Sequence, residues 1–141
     1  MKVAYVLDAC AMIAFLRGEE GADDVTSLLL NEDCMAHAVN LCEVYYDCLL
    51  RGDNESTAQE LMADLRSLDL AFREDMDDRF WQTVASYKAR TRKASLHIPL
   101  ADCFVLSLAE REKATIVTSD HHEFDLVLEK GFCPSTVRFI R

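Results

Sequence analysis

Glycine and proline are scarce, with four and two in 141 residues. That scarcity excludes a collagen-like repeat, long disordered loops and low-complexity linkers. No apolar run approaches the ~20 residues needed to span a bilayer. The N-terminus lacks a basic segment followed by a long apolar stretch and a small-residue cleavage site. A cytoplasmic protein with no membrane segment is therefore expected. Six cysteines occur, at 10, 34, 42, 48, 103 and 133. None is spaced as CxxC and no histidine pair completes a zinc pattern, so they read as small buried thiols in a reducing compartment. Positive charge is also short: 15 Lys and Arg face 25 Asp and Glu, a net charge of −10. Such a chain gets no general electrostatic help in holding nucleic acid, which excludes a non-specific coating protein. A nuclease is not excluded, because bound divalent cations reverse the field of an acidic pocket. No phosphate-cradling glycine loop and no Ser–His–Asp set is present.

What the chain does have is half its residues apolar, enough for a real core, and a length that suits one domain over 1–141. Val3 to Leu7 is a continuous apolar run of the kind buried on both faces of a parallel sheet. Residues 9–17 read as a short helix stopped at Gly18, and 22–30 as a second helix. A brief strand follows at 34–36. Residues 38–50 form a stronger helix, with Leu41, Val44, Tyr45 and Cys48 as its apolar stripe and Asn40, Glu43 and Asp47 as a separate polar one. Ser56 and Gln59 have the pattern of a capping box for the next helix, with Leu61, Met62, Leu65 and Leu68 on its apolar face. A strand is expected at 70–72 and a long helix over 77–93, carrying Phe80, Trp81, Val84 and Tyr87. Pro99 suits a first helical position, opening a helix over 100–111. A strand at 114–118, a short helix over 123–130 closed by Gly131, and a strand at 136–140 complete the chain. Strands alternating with helices imply a three-layer α/β/α fold with a mainly parallel sheet.

Four acids stand where such a fold gathers ligands. Asp8 and Asp120 each follow the C-terminal end of an expected strand, the edge at which open parallel sheets bind ligands. Asp102 lies in the first turn of its helix, where the dipole favours a carboxylate. Glu43 is on the polar stripe of its own helix. Taken singly, each has an ordinary reading as a solvated, capping or turn residue. Taken together, they form a cluster whose mutual repulsion requires protonation or a cation. Hard carboxylate oxygens suit Mg²⁺ or Mn²⁺, and one or two such ions can hydrolyse a phosphodiester.

The set Asp8-Ala-Cys, Asn40-x-x-Glu43, Leu100-Ala-Asp102 and Thr118-Ser-Asp120-x-x-x-Phe124 resembles the PIN-domain family of metal-dependent ribonucleases, in order and spacing. Among small stand-alone members, the resemblance is greatest to the VapC-type toxins of toxin–antitoxin pairs. It implies an α/β/α PIN-like fold, RNA cleavage, and Mg²⁺ or Mn²⁺ held by Asp8, Glu43, Asp102 and Asp120 directly or through water. It also implies a homodimer and a small antitoxin whose tail covers the site. Asn40 would support Glu43, and Thr118 would orient the strand end. Cys10 is a departure: the family often has Ser or Thr there, and a thiol is the poorer hydrogen-bond partner.

Around this core set, Asp125 reads as solvated or as a peripheral ligand. His121 and His122 read as exposed loop residues, or as aids to proton transfer or metal binding. Lys88, Arg90, Arg92 and Lys93 are the densest basic segment, either a helix end complementing the dipole or a contact for RNA backbone. The alternative function is a catalytically weak or inactive PIN-like module acting by protein or RNA binding. A phosphoacceptor domain fits poorly, since Asp8 has no acidic neighbour and no lysine follows the late strand.

Overall fold

The computed structural model describes residues 2–141. Five strands alternate with seven helices: β1 (Ala4–Leu7), α1 (Ala9–Arg17), α2 (Ala22–Asn31), β2 (Asp33–His37), α3 (Ala38–Leu50), α4 (Glu55–Ser67), β3 (Ala71–Arg73), α5 (Asp78–Lys93), α6 (Leu100–Glu112), β4 (Thr115–Thr118), α7 (His121–Glu129) and β5 (Val137–Phe139). Every strand pair is parallel, in the order β3-β2-β1-β4-β5. The expected parallel α/β/α arrangement is what the chain adopts. Among the described residues, no helix is long and apolar enough to cross a membrane.

The sheet is buried on both faces, and the strand sequences show why. Successive strand side chains point to opposite sides. Val6, Met35 and Ile116 pack in one core cluster with Phe80, Val84 and Tyr87 of α5, Val105 and Leu106 of α6, and Phe124 and Val127 of α7. Their neighbours Leu7, Cys34, Ala36 and Val117 pack in the other, with Met12, Val25, Leu28, Leu41, Val44 and Leu65 of α1 to α4. In the central strands β1, β2 and β4 successive residues are therefore apolar, which produces the uninterrupted run at the N-terminus; the edge strands β3 and β5 are partly exposed. Burying a side chain of this size stabilises the fold by about 1.5–3 kcal/mol.

Chain direction decides where a site can form. From β1 the chain moves to β2 and β3 on one side, then returns to place β4 on the other side of β1. The order reverses between β1 and β4, and the crevice outside their carboxyl ends is the position that the topology opens to ligands. Register fixes the height: Leu7 pairs with Val117, so Asp8 and Thr118 leave the sheet side by side.

Several boundaries differ from the sequence expectation. Asn54, not Ser56, caps α4, its side chain accepting from the Thr57 N–H. Pro99 stands just before α6 as its cap residue, outside the helix. The final helix α7 starts at His121, so the histidine pair forms its first turn and is not in a loop. Trp81 lies on the outer side of α5, 46% exposed. Gly18 ends α1 as expected, in the left-handed conformation with φ 64°.

Candidate metal centre

Asp8 is the deepest of the acids, 2% exposed. It caps α1: Oδ1 accepts from the Ala11 N–H at 2.9 Å. Its other oxygen accepts from the hydroxyl of Thr118. Burial pushes the Asp8 carboxyl up to about 7, against the lowering effect of these two hydrogen bonds, and the charges of Asp120 and Glu43 add to the rise. A buried carboxylate with negative neighbours is costly to ionise.

Thr118 does two jobs. While donating to Asp8, its Oγ1 accepts from the Asp120 N–H at 2.9 Å. Asp120 in turn caps α7, its Oδ1 accepting from the Glu123 N–H at 3.2 Å. In the usual reciprocal cap, the acid three residues on would return a bond to the Asp120 N–H. Thr118 already occupies that donor. Glu123 instead faces Asp102 on α6, and carboxylate oxygens of Asp102, Asp120 and Glu123 all lie within 4.8 Å of one another. Burial is the main cause that raises the Asp102 carboxyl well above the usual range, followed by a hydrogen bond with Glu123 and the charge of Asp8.

Glu43 approaches from α3. The buried Asn40 donates to Glu43 Oε1 at 3.3 Å and to the Ala101 carbonyl at 3.2 Å, tying α3 to the residue before Asp102. Partial burial raises the Glu43 carboxyl, Asn40 opposes the rise and Glu123 adds to it. The Cys10 thiol is pushed up to about 12 by burial and then by Asp8, Asp120, Asp102 and Glu43 in that order. It stays protonated beside all four acids.

Of the four acids read from the sequence, Asp102 and Asp120 thus meet within one cluster; Asp8 and Glu43 do not join it, although the charges of Asp120 and Glu43 reach Asp8. The third member of the tight group, Glu123, was missed. Its signal was present as Asp120-His-His-Glu123, the spacing of a helix-capping pair, obscured because the helix was expected to begin at Glu123. Asp125 lies outside the cluster, exposed and paired with His121 at 3.1 Å. His121 stacks on Phe139, with ring centroids 4.0 Å apart, and its Nε2 lies 2.8 Å from the Arg141 carbonyl. It fastens α7 to the C-terminal strand. In the basic segment, the Lys88 ammonium donates to the Ile98 carbonyl and Arg90 stacks over Tyr87 at 4.7 Å. Arg92 and Lys93 are exposed.

Three half-buried carboxylates this close repel one another, and a cation among them would offset that repulsion. The donors are oxygens alone, hard and anionic, and no thiolate or imidazole joins them. That set fits a small hard divalent cation. Asp102, Asp120 and Glu123 have the geometry to hold one.

The family model for the PIN domain matches residues 5–127, a span that contains every acid described above. Comparison with curated proteins finds no match in sequence. Solved structures of similar fold include VapBC2 from Rickettsia felis bound to a DNA fragment from its promoter, with a TM-score of 0.75 and 18% identity over 97% of this chain and 98% of that one. VapBC-1 from nontypeable Haemophilus influenzae gives a TM-score of 0.69 and 13% identity over 98% of each chain. VapBC-5 from Mycobacterium tuberculosis, a member of the VapBC family of toxin–antitoxin systems, gives 0.62 and 20% over 99% of this chain and 98% of that one. At such identities the likeness is one of fold. The family match covers most of the sequence, and on that ground the chain belongs to the PIN-domain family.

Proposed function

We propose that this protein is a metal-dependent endoribonuclease that hydrolyses RNA phosphodiester bonds, and that it is the toxin of a toxin–antitoxin pair. The observation that carries the reading is the meeting of Asp102, Asp120 and Glu123 at the switch-point edge, near buried Asp8, in a family whose members are generally nucleases. Asp8, Glu43, Asp102 and Asp120, joined by Glu123, would hold Mg²⁺ or Mn²⁺. Such an ion supplies Lewis-acid stabilisation of the charge that builds on the phosphate oxygens.

The chain's own groups do the positioning. Both oxygens of Asp8 are fixed, one by the Ala11 N–H and one by Thr118, so its carboxylate cannot swing. Glu43 has Oε1 tied to Asn40, which leaves Oε2 free to ligate the ion directly or through water. Burial and the neighbouring Glu123 raise the Asp102 carboxyl, so filling the site would favour its ionised form.

Likeness to the VapBC complexes supports an antitoxin as partner; a homodimer as the working form and the cytoplasm as the place of action complete the proposal. A catalytically weak or inactive module is the second reading, and Cys10 favours it, since its retained proton makes a poor donor where a hydroxyl is usual.

Incubation of purified protein with RNA and Mg²⁺ or Mn²⁺ tests both. EDTA should abolish cleavage, and Asp102→Asn should lower it about 100-fold or more. Cleavage that persists in EDTA, or full activity in the variant, contradicts the enzyme. Absent cleavage with retained RNA or partner binding supports the inactive module.

A further inference from the structure

The longest segment without an acidic residue runs from Arg79 to Ala101 and contains Arg79, Lys88, Arg90, Arg92 and Lys93. Those are five of the chain's fifteen Lys and Arg residues, in a protein with 25 acids. The absence of counter-charge is spatial as well as sequential. Outside this segment, Arg17, Arg51, Arg73, Arg111, Arg138 and Arg141 each pair with a carboxylate, while Lys2, Arg66, Lys113 and Lys130, scattered along the chain, have no such pair among the described residues. Inside it, no cation has a carboxylate partner among the described residues. The last two turns of α5 therefore concentrate unpaired positive charge in an acidic protein, although Asp77 and Asp78 open the helix and Glu110 of α6 accepts from Tyr87.

The cations are not spread evenly around the helix. Phe80, Val84, Tyr87 and Thr91 form the buried face. Trp81, Lys88 and Arg92 follow at i, i+7 and i+11, which puts them on one flank. Arg90 falls on the other flank, bonded to Ser86 and stacked over Tyr87. Trp81 is exposed, and eleven residues of helix place it about 16 Å from Arg92. The Lys88 ammonium holds the Ile98 carbonyl, in the connection that leads through Pro99 into the first turn of α6 and Asp102. The flank thus ends at the segment that delivers an acid to the candidate metal centre.

We propose that this flank of α5, with Trp81 at one end and Arg92 at the other and with Lys93 beside it on the exposed last turn, is a track for single-stranded RNA approaching the acid site. Phosphates lie on the cations, and a base stacks on the Trp81 ring. A positive path combined with an exposed aromatic is the combination that holds single strands without reading sequence. An acidic protein needs such a local path, because the rest of its surface repels a polyanion. The inference rests on the nuclease reading and names how its substrate is held.

Trp81 is the only tryptophan in the chain, so its emission reports the surface directly. In the Asp102→Asn background, a short unlabelled single-stranded RNA of mixed sequence should quench it, and added salt should reverse the quench. By anisotropy with labelled RNA, Trp81→Ala should weaken binding about tenfold. The double variant Arg92→Gln, Lys93→Gln should lower the slope of log affinity against log salt by about 1.4, two phosphate contacts at ~0.7 each. Circular dichroism checks that α5 stays folded. Cleavage by the unaltered enzyme without any change in Trp81 emission overturns the track alone, as does an unchanged salt slope in a folded double variant. Quenching without cleavage leaves the track and removes the nuclease reading. Emission that depends on protein concentration and not on RNA assigns the flank to a second copy of the chain, which also overturns the track.

Discussion

The Thr118 hydroxyl donates to the Asp8 carboxylate, joining the ends of β4 and β1 at the point where the strand order reverses. The same oxygen accepts from the Asp120 N–H, so one side chain sets the position of two acids. Replacing it with valine keeps the shape and removes both bonds inside a buried site. Thr118→Val should cost about 1–3 kcal/mol in urea unfolding, and Thr118→Ser should recover most of it. Equal stability in all three proteins would show that the hydroxyl does not hold the site.

Without a bound cation, stability should fall as pH rises. Asp8 titrates near 7 in the folded chain against 3.8 as an ordinary carboxyl. Between those values the folded state keeps a proton that the unfolded state has released. Stability is therefore full below about 4, declines through neutrality and levels off above 7, with an upper limit of about 4 kcal/mol. Burial of Glu43 and Asp102 acts in the same direction. Thermal melts in EDTA across this range should show the decline, and Asp8→Asn should flatten much of it. Mn²⁺ should raise the melting temperature more at pH 8 than at pH 5, because ligands must be deprotonated to bind.

Glu123 should matter as much as Asp102, although only the structure brings it to the cluster. Glu123→Gln removes one anionic donor and the carboxylate that helps to raise Asp102. Calorimetry should then show weaker Mn²⁺ binding, about tenfold or more, and fewer protons released per ion when buffers of different ionisation enthalpy are compared. Unchanged affinity and proton release would place Glu123 outside the ligand set.

Asn40 links Glu43 to the backbone beside Asp102. Asn40→Ala should cost about 1–2 kcal/mol through two lost buried bonds. Asn40→Asp should be worse, since it sets a carboxylate against both Glu43 and a carbonyl. Melting temperatures order the variants. The opposite order would mean that Asn40 acts only by filling space.

The layered fold was readable because burial on both faces leaves a run such as Val3 to Leu7 nearly free of polar residues, while each helix keeps an apolar stripe. Asp8 and Asp120 were readable from strand ends for the same reason. Helix starts were harder. Several side chains near a helix N-terminus can reach its free N–H groups, and Asn54 does so where Ser56 had the better local pattern. The same ambiguity hid Glu123: moving the start of α7 back to His121 turns a helix residue of no note into the partner of Asp102. Which carboxylates meet depends on how α6 and α7 pack at the sheet edge, a long-range outcome that spacing along the chain does not encode.

The most direct test of the central claim is a crystal soaked in Mn²⁺, with the ion located by its anomalous signal. The expected result is a peak within about 2.0–2.2 Å of carboxylate oxygens from Asp102, Asp120 and Glu123, with Asp8 or Glu43 in contact directly or through water, and loss of the peak in Asp102→Asn. A fully occupied peak elsewhere on the molecule, with none among these acids, would contradict it.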